Sequence, residues 1–212
     1  MGLPHADPEV RQAGADSAAG DGRARDPCAE ISQFHCSTFN LHPLVVDVGT
    51  GTGAIILSLA KEYTGEAIFL GTDVSEDAIA LAKENAAKCG LADRVKFAVA
   101  DGLDDFDEPQ CVDVIVSNPP YIETAACETL DPRVRDFEPR LALDGGASGL
   151  AFYERYLADA VNLLKPGGAV FFEIGESQGE AVKKLMFDCG FDNILIEKDF
   201  AGHDRYAAAT LS

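Results

Sequence analysis

The stretch Val46-Asp47-Val48-Gly49-Thr50-Gly51-Thr52-Gly53 decides the fold. Leu44–Val48 is a short apolar run closed by glycine, the pattern of a strand buried on both faces in a parallel sheet. Gly53–Glu62 predicts a helix, with Ile56, Leu59 and Ala60 on one face. Between them, the glycines let the backbone reverse sharply and come close to a ligand. Gly49, Gly51 and Ala54 also satisfy the relaxed dinucleotide pattern G-x-G-x-x-A, so the turn alone leaves its ligand open.

Downstream, strand and helix patterns alternate. Ala67–Val74 predicts a second strand, and Ser75 is a suitable N-cap for a helix over Glu76–Cys89 that Gly90 ends. Val95–Ala100 and Val112–Ser117 predict the third and fourth strands. Ala151–Leu164 predicts a helix stopped by Lys165-Pro166-Gly167-Gly168, and Ala169–Ile174 the fifth strand. A helix over Gln178–Cys189 ends at Gly190. Ile194–Lys198 and Tyr206–Leu211 then follow with only a loop between them, which predicts an antiparallel hairpin. The expected architecture is α/β: a doubly wound, mostly parallel Rossmann-like sheet with a C-terminal antiparallel hairpin.

Upstream of Leu44 the character changes. Met1–Glu30 is rich in Ala, Gly, Asp and Pro, with almost no large apolar residue beyond Leu3 and Val10. Such a composition buries too little surface to offset ordering entropy. Residues 1–42 are therefore expected to be a disordered or loosely packed head, which Phe34 and Phe39 tack onto the body, and 43–212 the folded domain.

The whole chain has 212 residues and is 47% hydrophobic, which excludes wholesale disorder, and its apolar runs fall far short of a membrane span. With 36 acidic against 17 basic residues, the formal charge is −19. That charge repels phosphate backbones, so direct nucleic-acid binding is not expected. It suits solubility, a cationic ligand or a basic partner. Cys28, Cys36, Cys89, Cys111, Cys127 and Cys189 form no C-x-x-C pair, and the His residues complete no metal spacing. No secretory pattern opens the chain, so the expectation is a cytoplasmic protein with reduced, mostly buried thiols.

In doubly wound sheets, ligands bind beyond the carboxyl ends of the strands. Each remaining motif sits at such an end. Asp73, 20 residues after Gly53, is placed to accept from ribose hydroxyls. Asp101-Gly102 ends the third strand, where a carboxylate could accept from an adenine amino group. Asp101, Asp104, Asp105, Asp107 and Glu108 also read as a solvated acidic loop. Ser117-Asn118-Pro119-Pro120-Tyr121 closes the fourth strand. Its prolines stiffen an extended turn and remove two amide donors. The Asn118 side-chain oxygen and the Pro119 carbonyl can then accept from one planar NH2 group, with Tyr121 stacked on it. Those acceptors favour the geometry that frees the nitrogen lone pair toward an electrophile and orient it for attack.

Asp47–Gly53, Asp73, Asp101 and Asn118–Tyr121 with a closing hairpin resemble a class I S-adenosylmethionine-dependent methyltransferase. Ile122-Glu123, Glu138–Gly146, Gly149–Tyr153, Glu173-Ile174-Gly175 and Asp199–Arg205 narrow the resemblance to the HemK/PrmC family, over about Leu44–Ser212. The resemblance implies N5-methylation of the glutamine in the Gly-Gly-Gln motif of class I peptide chain release factors. It also implies roles. Asp47, Gly49, Thr50, Gly51, Thr52 and Gly53 would wrap the methionine part of S-adenosylmethionine. Asp73 would hold the ribose, and Asp101 and Gly102 would flank the adenine. Asn118, Pro119, Pro120 and Tyr121 would hold the glutamine, with Asn118 also bordering the cofactor.

Family members carry a helical N-terminal domain and a Pro-Arg-Pro-Glu-Thr stretch before the first strand. Here the Ala/Gly/Asp-rich segment and His42-Pro43 stand in that place. Two other readings stay open: a nucleic-acid adenine N6-methyltransferase, which shares the N-P-P-Y chemistry, and a truncated cofactor-binding remnant without turnover.

Overall fold

The computed structural model describes residues 42–135 and 139–212. The expected head lies outside the described residues except for His42, as do Cys28, Cys36 and Glu138. Seven strands form one sheet: β1 (Leu44–Val48), β2 (Ile68–Asp73), β3 (Val95–Val99), β4 (Val112–Ser117), β5 (Leu164–Glu173), β6 (Phe191–Lys198) and β7 (Asp204–Leu211). Their order is β3-β2-β1-β4-β5-β7-β6. The first five are parallel, and β7 runs antiparallel to both β5 and β6. The strand order reverses between β1 and β4, which makes their carboxyl ends the switch point of the sheet.

Two helices cover one face of β1–β3: α1 (Ala54–Glu62) and α2 (Glu76–Lys88). Ile56, Leu57, Ala60, Ile79, Ala82 and Ala86 pack there on Phe69, Val95 and Phe97. The Ser75 hydroxyl caps α2 by accepting from the Ala78 amide at 3.2 Å, as the sequence predicts. Two short turns of helix, α3 (Thr124–Cys127) and α4 (Pro132–Arg135), follow β4. The long helices α5 (Ala151–Leu163) and α6 (Gly179–Asp188) cover the other face. Tyr153, Leu157, Ala160, Val182 and Met186 form the larger core there with Ile115, Val170 and Phe172.

On the α1 side, no described element covers β4, β5 and β7. A groove of about 750 Å³ runs there among Val114, Val116, Phe171, Leu195 and Tyr206, with Pro43 at its edge. Strand alternation explains it. Val170 and Phe172 point into the core, so Phe171 between them points out.

Three segments depart from the sequence reading. Lys165–Gly168 ends α5 as expected but lies within β5 as a bulge: Val112 pairs with Leu164 and Val114 with Ala169, and the extra residues turn through Gly167 at φ 81°. β6 begins at Phe191 instead of Ile194, because Phe191 already pairs with Leu211 before an irregularity at Asn193. The stretch after Tyr121 has regular turns that periodicity could not announce, including a bridge between Ile122 and Asp144 and a 3₁₀ turn at Arg140–Ala142. Of the described cysteines, Cys111 and Cys127 are buried, Cys189 is half-buried and Cys89 is exposed, so burial of the thiols is less general than expected. No helix among the described residues is long and apolar enough to cross a membrane.

Candidate active site

The turn after β1 is fastened to the end of β2. The Thr50 amide donates to the Thr72 carbonyl at 2.8 Å, and the Gly51 amide donates to Asp73 Oδ2 at 2.9 Å. Gly49, Gly51 and Gly53 have φ of 69°, 55° and 80°, the left-handed region that glycine enters at least cost. A Cβ added at Gly49 or Gly51 would meet nothing within 4 Å, so this edge of the turn faces open space.

Asp47 lies beneath the turn and is fully buried. Its Oδ2 accepts from the Thr50 hydroxyl at 2.7 Å, while Oδ1 is buried without a hydrogen-bond partner among the described residues. Burial raises its pKa to about 7, against the opposing pull of the Thr50 hydroxyl and the Ile56 amide, with a small further push from Asp73. A cation brought over the turn would favour the ionised form.

Asp73, expected from the sequence to meet a ribose, is engaged by the protein's own backbone. Oδ2 shapes the glycine turn, and Oδ1 accepts from the Ser75 amide at 2.9 Å. Each carboxylate oxygen keeps capacity for another donor, such as a ligand hydroxyl. Asp101 is tied down by Arg155 of α5, which donates to its Oδ1 at 2.7 Å and also reaches Asp104 at 2.7 Å. The acidic loop is thus partly neutralised rather than simply solvated. Gly102 is buried against Tyr156 and Arg155.

Parallel pairing of Val48 with Ser117 brings Asn118 out of the sheet beside Gly49. Ser117 is buried, and its hydroxyl donates to the Val48 carbonyl at 2.6 Å, fixing the start of the proline turn to the start of the glycine turn. Asn118 is exposed, and its carboxamide makes no hydrogen bond to a described residue. Pro119 is buried, while Pro120 and Tyr121 are half-buried. The structure therefore gathers Asp47, Gly49–Gly53, Asp73, Asp101-Gly102 and Asn118–Tyr121 at one end of the sheet.

The segment Leu143–Gly149 lies alongside the proline turn. Ile122 donates to the Leu143 carbonyl at 3.0 Å, and its own carbonyl accepts from the Gly145 amide at 2.8 Å. Sequence reasoning missed Arg155, the Ser117 link and the amide of Gln178, which reaches the Tyr121 carbonyl at 3.0 Å. All three partners are far away in the chain, and neither spacing nor periodicity announces such contacts.

The model of a family described as "Methyltransferase domain" matches residues 43–199. A release factor glutamine methyltransferase of Moorella thermoacetica is 48% identical over 162 residues, 76% of this chain and 56% of that protein. One from Caulobacter vibrioides is 42% identical over 166 residues, 76% of this chain and 55% of that protein. The chain thus spans a little over half the length of these curated relatives. Among solved structures, a ribosomal protein L11 methylase from Lactobacillus delbrueckii subsp. bulgaricus superposes with a TM-score of 0.55 at 20% identity, covering 87% of this chain and 78% of its own. At that identity the likeness concerns the fold alone. With its glycine turn, proline turn and seven-stranded order, the chain belongs to the methyltransferase-domain family, and over that domain it is similar to release factor glutamine methyltransferases.

Proposed function

We propose that the domain transfers a methyl group from S-adenosylmethionine to the side-chain amide nitrogen of a protein glutamine, in the Gly-Gly-Gln motif of a class I peptide chain release factor. One observation carries the reading: the exposed Asn118 carboxamide leaves the sheet beside the open edge of the glycine turn, anchored there by Ser117. The names of the two relatives support the choice of acceptor.

The residues fit the cofactor. Gly49 and Gly51 leave room for close approach, and a positive charge brought nearby would favour ionisation of the buried Asp47. Asp73 has acceptor capacity for ribose hydroxyls, and Asp101 and Gly102 border the place expected for adenine. Bound S-adenosylmethionine supplies an electrophilic methyl on a sulfonium.

The chain supplies orientation. Asn118 Oδ1 and the Pro119 carbonyl accept the two N–H bonds of the glutamine amide, and Tyr121 provides a flat wall. Holding the nitrogen in line converts a bimolecular encounter into an oriented one, a large catalytic term. No strong base is required, because a methylated amide nitrogen is acidic enough to lose its proton to solvent. The acidic surface agrees with a protein acceptor better than with a nucleic acid, and such an acceptor places the work in the cytoplasm.

Incubation with S-adenosylmethionine and purified release factor, followed by peptide mass spectrometry, tests the proposal. The Gly-Gly-Gln peptide should gain one methyl. Methylation of adenine in nucleic acid instead would replace the reading, and cofactor binding without any transfer would mark a remnant.

A further inference from the structure

We propose that Gln178 is a positioning residue that holds the Tyr121 end of the acceptor turn; the inference rests on the proposed amide methylation. Gln178 immediately precedes α6, yet its side chain makes no capping bond to that helix. Its amide instead joins three loops. Nε2 donates to the Tyr121 carbonyl at 3.0 Å and to the Gly149 carbonyl at 3.1 Å. Oε1 accepts from the Gly175 amide at 2.9 Å, and the Tyr153 hydroxyl approaches it at 3.5 Å. Both donors and the acceptor of one half-buried carboxamide are thus used.

The surrounding backbone is shaped for this contact. A Cβ at Gly149 would lie 2.5 Å from the Tyr121 carbonyl oxygen and 2.8 Å from Gln178 Nε2. One at Gly175 would lie 2.9 Å from Gln178 Oε1 and 3.4 Å from the Tyr121 ring. Ser117 anchors the proline turn to β1 at one end. Gln178 anchors its other end to the loops after β4 and β5. Without the Gln178 amide, the Tyr121 and Gly149 carbonyls lose their side-chain donor, and the peptide after Tyr121 is held from one side, by the bond of the Ile122 amide to the Leu143 carbonyl. The ring that lines the acceptor site then loses its direction.

The test compares the 212-residue wild type with Gln178→Met, which keeps the length of the side chain but not its hydrogen bonds, and with Gln178→Glu. Sites are counted by S-adenosylmethionine binding so that misfolded protein does not enter the rate. For Gln178→Met, single-turnover transfer to the release factor should fall about 10- to 100-fold, the scale of a misplaced reacting group, with cofactor Kd within about threefold of wild type. Gln178→Glu should be as slow near neutral pH but recover as pH falls, because its protonated carboxyl again offers a donor to a carbonyl. A role confined to stability would lower the number of sites and leave the rate per site and its pH profile as in wild type, and that outcome overturns the proposal.

The Tyr121 ring resonances, assigned by Tyr121→Phe, give a readout that needs no acceptor. If wild type itself fails to methylate the release factor, the proposed function falls. Gln178 is then judged on these signals alone: a shift in Gln178→Met supports the positioning role, and unchanged signals overturn it.

Discussion

Asp47 is an acid whose charged form the fold disfavours. Its pKa rises from 3.8 to about 7, chiefly through burial. The folded protein therefore binds a proton that the unfolded chain has released over that interval. The stability associated with the neutral acid is fully present below the unfolded value and is lost as pH rises through about 7. Urea unfolding of the cofactor-free protein at a series of pH values should show wild type losing stability relative to Asp47→Asn between pH 4 and 7. At ~1.4 kcal/mol per pKa unit the relative change is a few kcal/mol, and a constant difference would contradict a buried neutral acid. Asn118 is the opposite case, exposed and without a partner among the described residues. Asn118→Ala should cut transfer by about an order of magnitude or more, since an enclosed amide that loses a partner costs ~1–3 kcal/mol. Calorimetry should find cofactor affinity preserved.

At the level of elements, the site is built from strand ends and the hydrogen bonds that brace them. Ser75 serves two neighbours at once. Its amide donates to Asp73, which also shapes the glycine turn, and its hydroxyl caps α2. Ser75→Ala keeps the first bond and removes the second. Equilibrium denaturation should show a loss of ~0.5–2 kcal/mol, the usual cost of a cap, with cofactor binding intact. Substitutions at Asp73 should instead weaken cofactor binding, because the Gly51 amide then loses its acceptor. The cap was legible because Ser before an acidic first turn is a local signal. The Gly51–Asp73 bond was not, since it joins the turn after β1 to the end of β2 and depends on the register of those strands.

Across the molecule the two faces of the sheet differ. Leu157, on the core-facing side of α5, is fully buried, whereas Leu195 is 58% exposed on the groove side. Leu157→Ala should cost ~2–5 kcal/mol, the range for a buried leucine truncated to a cavity. Leu195→Glu should stay within ~0.5 kcal/mol of wild type, as surface changes usually do. Thermal and urea unfolding of the pair measure both. A penalty at Leu195 as large as at Leu157 would show that this face is covered in the protein.

The sequence by itself determined the seven strands, the four long helices, their order and the strand ends at which the candidate site residues gather. Apolar runs closed by glycine, helical spacing and proline turns are local features, and local features survive without coordinates. It also determined that Asp47 and Asp73 fall at the carboxyl ends of strands and that Asp101 and Asn118 follow such ends. Only the tertiary structure decided that Asp101 is held by Arg155, that Lys165–Gly168 bulges within a strand, and that one glutamine braces three loops. Hydrogen bonds between distant segments depend on sheet register and on the path of irregular backbone. Neither leaves a periodic trace in the chain.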